Sequence, residues 1–278
     1  MGSFRRSLVM LGIVGGLAAC GEPRETGVRL RFSYEPGDTL RYLYHSSGSA
    51  TTPDSTAPSG TRVSPYEREI RIDEVATEIT PRGHYVLTLT YYLPADSTGR
   101  KPVPDRITIN LEVTPQGRIV AVTGVETAKP LFGDLDFQSY AEQTQPVFPD
   151  RPLTLGDSWT QEVKVVAPGT APVVTSSTYV LEQLTTEDGE ATAVIGYEGD
   201  IYLPVVYAES DSAGDRPRSV EERIRMRGAI YFAHERGVVR RVEERAEATL
   251  TRIHFVDREP VRRELRITEE SLLRLIEP

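Results

Sequence analysis

Residues 105–114 read Asp-Arg-Ile-Thr-Ile-Asn-Leu-Glu-Val-Thr, and this stretch decides the fold class. Every second position is apolar, at Ile107, Ile109, Leu111 and Val113. Successive side chains of a β-strand point to opposite faces of the sheet. The alternation therefore predicts a strand with one buried and one solvated face. Pro115-Gln116-Gly117 follows as a hairpin turn into the next strand.

Strand signals extend to both sides of this segment. Similar alternation, broken by the turns Pro36-Gly37-Asp38 and Pro81-Arg82-Gly83, predicts strands at residues 28–34, 39–45, 66–80, 84–93 and 118–125. Residues 46–65 consist mainly of Ser, Thr, Pro, Gly and Ala. A stretch with so few large apolar groups cannot offset its ordering entropy, so we expect a mobile loop there.

The order of these signals recurs after a break at residues 126–152. Gly37-Asp38 before a strand is matched by Gly156-Asp157 before the strand that begins at Ser158. Tyr92-Leu93-Pro94 is matched by Tyr202-Leu203-Pro204, and the turn residue Gly117 by Gly237. Landmarks that repeat in one order indicate a duplicated structural unit, here a meander of about five strands.

The predicted fold is mainly β. Two duplicated antiparallel meander-like units form curved sheets or an open barrel or sandwich. The expected divisions are a signal peptide at 1–19, a lipidated tether at 20–27, a first β unit at 28–125, a connector at 126–152 and a second β unit at 153–278. We expect one short helix in the connector, at 135–143, and another at the C-terminus, at 269–276, after an edge strand that ends at Ile267.

The N-terminus has the layout of a secretory signal. Arg5-Arg6 precede an apolar run at residues 8–14, and Leu17-Ala18-Ala19-Cys20 ends the segment. The apolar run is too short for a spanning helix, which needs about 20 apolar residues. Cys20 is the only cysteine of the chain. An ordinary signal peptide with an incidental cysteine is the alternative interpretation.

The Leu17-Ala18-Ala19-Cys20 stretch resembles the lipobox of bacterial lipoproteins. The resemblance implies a diacylglyceryl thioether on Cys20 and a mature chain that begins at Cys20. Several acyl chains, each worth about 0.8 kcal/mol per buried CH₂, make a durable anchor. In that family Asp after the cysteine favours inner-membrane retention, so Gly21 favours the outer membrane, with the body facing the periplasm. Inner-membrane and surface-exposed placements stay open.

The body has a second resemblance. Residues 36–42 and 148–159, the latter ending in Gly-Asp-Ser-Trp, are similar to motifs of an uncharacterised family of duplicated-β envelope lipoproteins. The likeness implies a duplicated β body over nearly all of the mature chain. It supplies no catalytic residues.

Charge and thiol content exclude several function classes. The chain has 32 basic and 41 acidic residues, a net charge of −9. Loss of Arg5 and Arg6 with the leader makes the mature chain more acidic still, which argues against nucleic-acid binding. With Cys20 modified, no thiol is left for redox chemistry or thiolate metal sites.

The sequence contains no pattern typical of a catalytic or metal site. Four histidines lie in separate predicted strands or turns, none beside a Gly-x-Ser-x-Gly elbow: His45, His84, His234 and His254. No histidine spacing suits a metal and no glycine-rich loop suits a nucleotide. Three acids of one loop are candidates for weak calcium binding or, more simply, for loop solvation: Glu209, Asp211 and Asp215. We expect no cofactor and no metal.

One surface of the second unit has a site-like pattern. Arg223, Arg225 and Arg227 share one face of a predicted strand. They suggest a surface for an anionic ligand or a lipid head group. Because acids such as Glu243 and Glu244 are interleaved with the nearby arginines, cross-strand Arg–Glu pairing on a solvated face is the alternative.

The function predicted from these features is that of a non-enzymatic, lipid-anchored envelope protein. Its β body is expected to bind either another envelope component or an apolar ligand in a concave sheet. An envelope hydrolase acting on glycan or peptide is one alternative, and a structural spacer is another. An unfilled apolar interior would favour the ligand-binding prediction over the others.

Overall fold

The computed structural model describes residues 27–54, 56–57, 59–93, 105–128, 136–165, 172–206, 219–256 and 259–276. Eleven strands occur in this part of the chain: β1 (Thr39–Pro53), β2 (Thr61–Ile79), β3 (Tyr85–Tyr92), β4 (Arg106–Val113), β5 (Ile119–Thr123), β6 (Ser158–Val165), β7 (Val173–Glu187), β8 (Glu190–Val206), β9 (Ser219–Ala233), β10 (Val238–Val256) and β11 (Glu259–Ile276).

All of these strands belong to one antiparallel sheet. Their order is β5-β4-β3-β2-β1-β11-β10-β9-β8-β7-β6, so two consecutive meanders meet where β1 pairs with β11. Within the described residues β5 and β6 are the two edges, and the sheet is not closed into a barrel. The predicted fold class, a mainly β chain with curved antiparallel sheet, is confirmed.

The two Gly-Asp turns make the same hydrogen bonds. Gly37 and Gly156 have φ of 98° and 85°, values that favour glycine because it lacks a Cβ. Gly37 donates its amide to the backbone oxygen of Ala76 in β2, and Gly156 donates to that of Leu181 in β7. Each acceptor strand bulges just after the contact. The carboxylates of Asp38 and Asp157 each accept from the amide three residues earlier, at 2.7 and 2.9 Å. The sequence repeat thus corresponds to a repeated local structure.

The predicted C-terminal helix at 269–276 is wrong. Strand β11 continues to Ile276 and is no edge strand, because it pairs with β10 on one side and β1 on the other. Its inward residues keep a period of two: Ile267, Glu269, Ser271, Leu273 and Leu275. The backbone N–H and C=O groups of β11 are hydrogen-bonded to β1 on one side and to β10 on the other, and these bonds outweigh a weak local preference for helix.

Two further predictions are corrected. Most of residues 46–65 is strand and not a loop, since β1 runs to Pro53 and β2 begins at Thr61. Small polar residues can form strands there because the backbone of β1 is hydrogen-bonded to β2 and β11, whatever the side chains are. Residues 28–34 form no strand; a single antiparallel bridge, Val28 to Leu153, links the segment to the connector.

This N-terminal segment closes one end of the curved sheet. The amide of Phe32 donates to Pro115 in the β4–β5 turn, and the amide of Ser33 donates to Gly237 in the β9–β10 turn. The ring of Phe32 contacts those of Phe148 and Phe232, with centroids 5.2 and 5.4 Å apart. All three side chains are buried, so this end has a packed aromatic floor.

The connector contains helix α1 (Phe137–Thr144), close to the predicted position. Asp136 is its N-cap and accepts from the amide of Ser139 at 3.2 Å. The helix contacts β5 from one edge of the sheet and β6, β7 and β8 from the other, so it lies between the two edges. In the described ranges no helix is long and apolar enough to cross a membrane.

Candidate functional site: an acidic apolar cavity

The inner face of the sheet encloses a cavity of about 800 Å³. Both β units contribute to its wall, and α1 contributes to one side. Most of the lining is aliphatic or aromatic, including Ile70, Ile72, Leu89, Tyr91, Ile224, Met226, Ala248 and Leu273. The volume lies within the range of about 300–1,000 Å³ typical of ligand pockets.

The inward side chains do not fill this space. Ile72, Leu89 and Tyr91 point to the interior and line the cavity, yet each is only half-buried. Native cores are close-packed, so inward apolar groups with exposed surface mark an unfilled interior. At the floor, by contrast, Phe148 and Phe232 are fully covered.

A carboxylate with several donors lies on the cavity wall at the junction of the two units. The hydroxyl groups of Tyr44 and Tyr66 donate to Glu269 at 2.6 and 2.5 Å, and Arg68 Nη2 lies 2.9 Å from Glu269 Oε1. Burial by itself raises the pKa of Glu269, but these hydrogen bonds and the charge of Arg68 outweigh it. The pKa of Glu269 is therefore below its usual value.

Gly48 makes room for this arrangement. In the pairing register Gly48 lies between Tyr66 on β2 and Glu269 on β11. A Cβ on Gly48 would lie 2.9 Å from the hydroxyl oxygen of Tyr66 and 2.2 Å from the backbone oxygen of Thr268. Only glycine lets the tyrosine ring pass over β1 at this position.

Two more glutamates face the cavity from β9 and β10. Glu244 Oε2 accepts from the hydroxyl of Tyr197 at 2.6 Å. Burial raises the pKa of Glu244 above its usual value and outweighs the opposing effect of this hydrogen bond. Burial and the charge of Glu269 raise the pKa of Glu222. No hydrogen bond reaches the carboxyl group of Glu222 from the residues that the structure describes.

The fourth carboxyl group lies close to the floor. Glu74 on β2 accepts a hydrogen bond from the hydroxyl of Tyr34 at 2.8 Å. Burial raises the pKa of Glu74 to about 7, although the Tyr34 hydrogen bond opposes the shift. On β1, Leu40 pairs with Glu74 and Gly48 pairs with Glu269. Leu40 and Gly48 are eight residues apart, so the two glutamates are separated by about 26 Å along the strand direction.

A glutamine fastens α1 to the sheet beside the cavity. Gln143 donates to the backbone oxygen of Tyr202 at 3.2 Å and accepts from its amide at 2.8 Å. The pairing of β7 with β8 ends at Ser177 and Gly199, so Gln143 takes the place of a strand partner for β8. Gln143 is itself buried. The helix is thereby held against the open side of the sheet.

The predicted arginine surface lies on the outer face, away from the cavity. Arg223, Arg225 and Arg227 are all exposed. Arg225 Nε is 3.6 Å from Asp200 Oδ1, and the guanidinium of Arg223 lies 5.0 Å from the ring centroid of Tyr202. These contacts resemble the pairing that the alternative interpretation expects, and an anionic-ligand surface stays a prediction. Cys20 lies outside the described residues.

Two of the histidines that the structure describes lie beside glutamates. His84 Nδ1 is 2.7 Å from Glu112 Oε1, and His45 Nε2 is 3.6 Å from Glu67 Oε1. In the part of the chain with described positions, no group of three or more His, Cys, Asp or Glu residues suits a metal ion. The three acids of the predicted calcium loop and the His254 side chain fall outside that part.

The cavity glutamates and their tyrosine partners were not predicted from the sequence. A signal was present, because each glutamate occupies a position in the apolar phase of its strand. Glu269 stands between Ile267 and Ser271, and Glu74 follows Ile70 and Ile72 at the same spacing. A charged residue in the inward phase of a strand identifies a polar contact within an apolar interior.

Comparisons with known proteins identify no family. No protein-family model matches the chain, and no curated protein matches it. Among solved structures, a lipovitellin chain described under "Lipid-protein interactions in lipovitellin" aligns with a TM-score of 0.47 and 14% identity. The alignment covers 88% of this chain but only 26% of that one. So distant a likeness assigns no ligand to this chain.

Proposed function

We propose that this protein is a non-enzymatic binding protein that holds an amphiphilic or apolar molecule in the cavity of its β body. The observation that carries the proposal is the unfilled interior of about 800 Å³, which is lined by inward side chains that are only half-buried. An apolar molecule in this space would cover surface that is otherwise hydrated, at about 25 cal/mol per Å². Release of water from such surface is the main driving force for binding.

We further propose that the body is held at an envelope membrane by lipid on Cys20, as the lipobox resemblance implies. A tethered body with an apolar cavity is suited to taking up or presenting a membrane-derived molecule. In this proposal residues 20–27 serve as the tether between that lipid and the fold.

Native mass spectrometry of the full-length protein, with Cys20→Ser to remove the covalent lipid, tests the binding proposal. We expect a co-purifying molecule at a stoichiometry of one. Ala246 lines the cavity, so Ala246→Trp would place an indole inside it and should abolish retention. Ala229→Trp is the matched control, because Ala229 lies on the adjacent strand and faces the outer side.

Two results would overturn the proposal. One is the absence both of a co-purifying molecule and of binding by added amphiphiles. The other is equal retention by the Ala246→Trp variant and the unmodified chain, which would place the ligand elsewhere.

A glycan hydrolase is a second candidate, because carboxyl groups with raised pKa values line one cavity. Glycosidases need two carboxyl groups about 5–10 Å apart. Glu74 lies about 26 Å along the strands from Glu269, which is outside this range. Glu244 is a diagonal neighbour of Glu269, because it pairs with Ser271, two residues away. Both oxygens of Glu269 already accept hydrogen bonds, however, which disfavours a catalytic role for that pair. If the protein is a hydrolase, Glu244→Gln should abolish turnover of cell-wall or glycoside substrates and leave ligand retention intact. If the unmodified protein shows no turnover and Glu244→Gln loses ligand retention, the binding function is favoured.

A further inference from the structure

The charges of the cavity wall are strongly unbalanced. Among its described lining residues, four carboxyl groups face the space, those of Glu74, Glu222, Glu244 and Glu269, against the single guanidinium of Arg68. The remaining lining residues are uncharged. An amphiphile that enters this cavity therefore meets more carboxyl groups than basic groups, and an ammonium group close to them would favour their charged form.

Arg68, the basic residue among the described lining residues, is already engaged. Arg68 Nη2 lies 2.9 and 3.1 Å from the two oxygens of Glu269. Its Nε donates to Oγ of Ser46 at 2.8 Å, and Ser46 has no exposed surface. To bind an anionic head group, Arg68 would have to leave a carboxylate behind without its partner, which is costly in a partly buried site.

The remaining carboxyl groups retain acceptor capacity. Glu244 accepts the Tyr197 hydroxyl on Oε2, and no described residue donates to Glu222. Their positions differ in height along the cavity: Glu244 pairs with Gly228, and Glu222 is six residues farther along β9. Between these levels Ile224 and Met226 line the wall. The hydrocarbon chain of a ligand can therefore lie against Ile224 and Met226 while its head group donates to the carboxyl group of Glu244 or Glu222.

We propose that the cavity selects amphiphiles with a cationic, amine-type head group and discriminates against those with an anionic head group. This inference rests on the proposed function, since it presupposes that an amphiphile occupies the cavity. The ammonium group donates to Glu244 or Glu222 while the hydrocarbon chain contacts the apolar wall. A carboxylate or phosphate head would instead meet uncompensated negative charge at short range.

Three probes of equal chain length test the inference: dodecylamine, dodecanol and dodecanoate. Isothermal titration calorimetry at pH 7.5 with full-length Cys20→Ser protein compares their affinities. We expect the amine to bind at least about tenfold more tightly than the alcohol, and the alcohol more tightly than the acid. Glu244→Gln and Glu222→Gln should each weaken amine binding several-fold and leave alcohol binding unchanged.

The strands offer matched controls. Glu243 and Glu221 are the sequence neighbours of Glu244 and Glu222, and alternation directs them to the outer face. Glu243→Gln and Glu221→Gln should leave the head-group preference intact.

The outcomes separate the two proposals. Equal affinities for amine and alcohol, tighter binding of the acid, or a preference unaffected by Glu244→Gln together with Glu222→Gln would overturn the head-group inference while leaving the binding function. If none of the three probes binds, the proposed function itself fails, and the inference fails with it.

Discussion

The phenol hydroxyl of Tyr66 on β2 lies 2.5 Å from the carboxylate of Glu269 on β11, with strand β1 between them. The contact joins residues 203 positions apart in the chain. It spans the junction at which the first β unit meets the second. The cluster around Glu269 thus belongs both to the cavity wall and to the connection between the two units.

Replacing Gly48 by alanine should destabilise the fold by about 1–3 kcal/mol, because the added Cβ would overlap the Thr268 backbone and the Tyr66 hydroxyl. Urea denaturation measures the change. Gly196→Ala is the control: the three atoms nearest to its added Cβ all belong to the side chain of Glu182, which is exposed and can move. That variant should differ little from the unmodified protein; an equal loss in both variants would contradict the role assigned to Gly48.

Removing the hydroxyl group of Tyr44 or of Tyr66 should lower the free energy of unfolding by about 1–2 kcal/mol, because hydrogen bonds to charged groups contribute more to stability than those between neutral groups. Tyr44→Phe and Tyr66→Phe share one acceptor, so their effects should not be additive in a double-mutant cycle of unfolding free energies. Tyr92→Phe serves as control because its hydroxyl donates to Asp73 at 3.0 Å outside the cluster. Full additivity would show that the two hydroxyl groups act independently.

Glu74 should make the protein less stable as the pH rises. Folding raises the pKa of Glu74 from 4.5 to about 7, so the folded state binds the proton more tightly. The resulting stabilisation is complete below about pH 4.5 and is lost as the pH rises through 7. At about 1.4 kcal/mol per unit of pKa, the loss is on the order of 3 kcal/mol.

Glu74→Gln removes this titration and keeps an oxygen that accepts from Tyr34. Its unfolding free energy relative to the unmodified protein should therefore rise between pH 5 and pH 8, measured by denaturant titration at each pH. Glu78→Gln, on the same strand with an exposed side chain, should show no such trend. A parallel pH dependence of Glu74→Gln and unmodified protein would refute the assignment.

Gln143→Ala should loosen α1 and destabilise the protein by about 2 kcal/mol, since two buried hydrogen bonds to Tyr202 are lost. Hydrogen exchange at the Tyr202 amide reports the change locally, and protection there should fall. Gln138→Ala removes only a bond to Glu142 within the same helix and should leave the Tyr202 amide protected. Unchanged protection in Gln143→Ala would show that α1 is held by other contacts.

Cys20→Ser should abolish lipid attachment, because serine has no thiol to form the thioether. Intact-mass analysis and membrane fractionation should then find no acyl chains and no membrane retention through them. Gly21→Asp should leave the lipid in place and move the protein toward the inner membrane, as the lipoprotein resemblance implies. Acyl chains still attached to the Cys20→Ser protein would contradict the anchor.

Local sequence patterns predicted most of the strands and the turns, although the strand expected at residues 28–34 does not form. The alternation at Ile107, Ile109, Leu111 and Val113 requires a strand with a buried face whatever its partner, and the paired glycines Gly37 and Gly156 require turns with positive φ. The prediction failed at 46–53 and 269–276, where weak local preference was overridden by ladders with distant strands.

By itself, the sequence determined the fold class and the repeated Gly-Asp turns, since these depend on neighbouring residues and on fixed backbone preferences; the lipoprotein-like leader stays a prediction. Only the tertiary structure decided that β1 pairs with β11, that the interior stays unfilled and that Glu269 meets Tyr44, Tyr66 and Arg68. Strand pairing and the curvature of the sheet join residues more than 200 positions apart, and no local pattern encodes which ones meet.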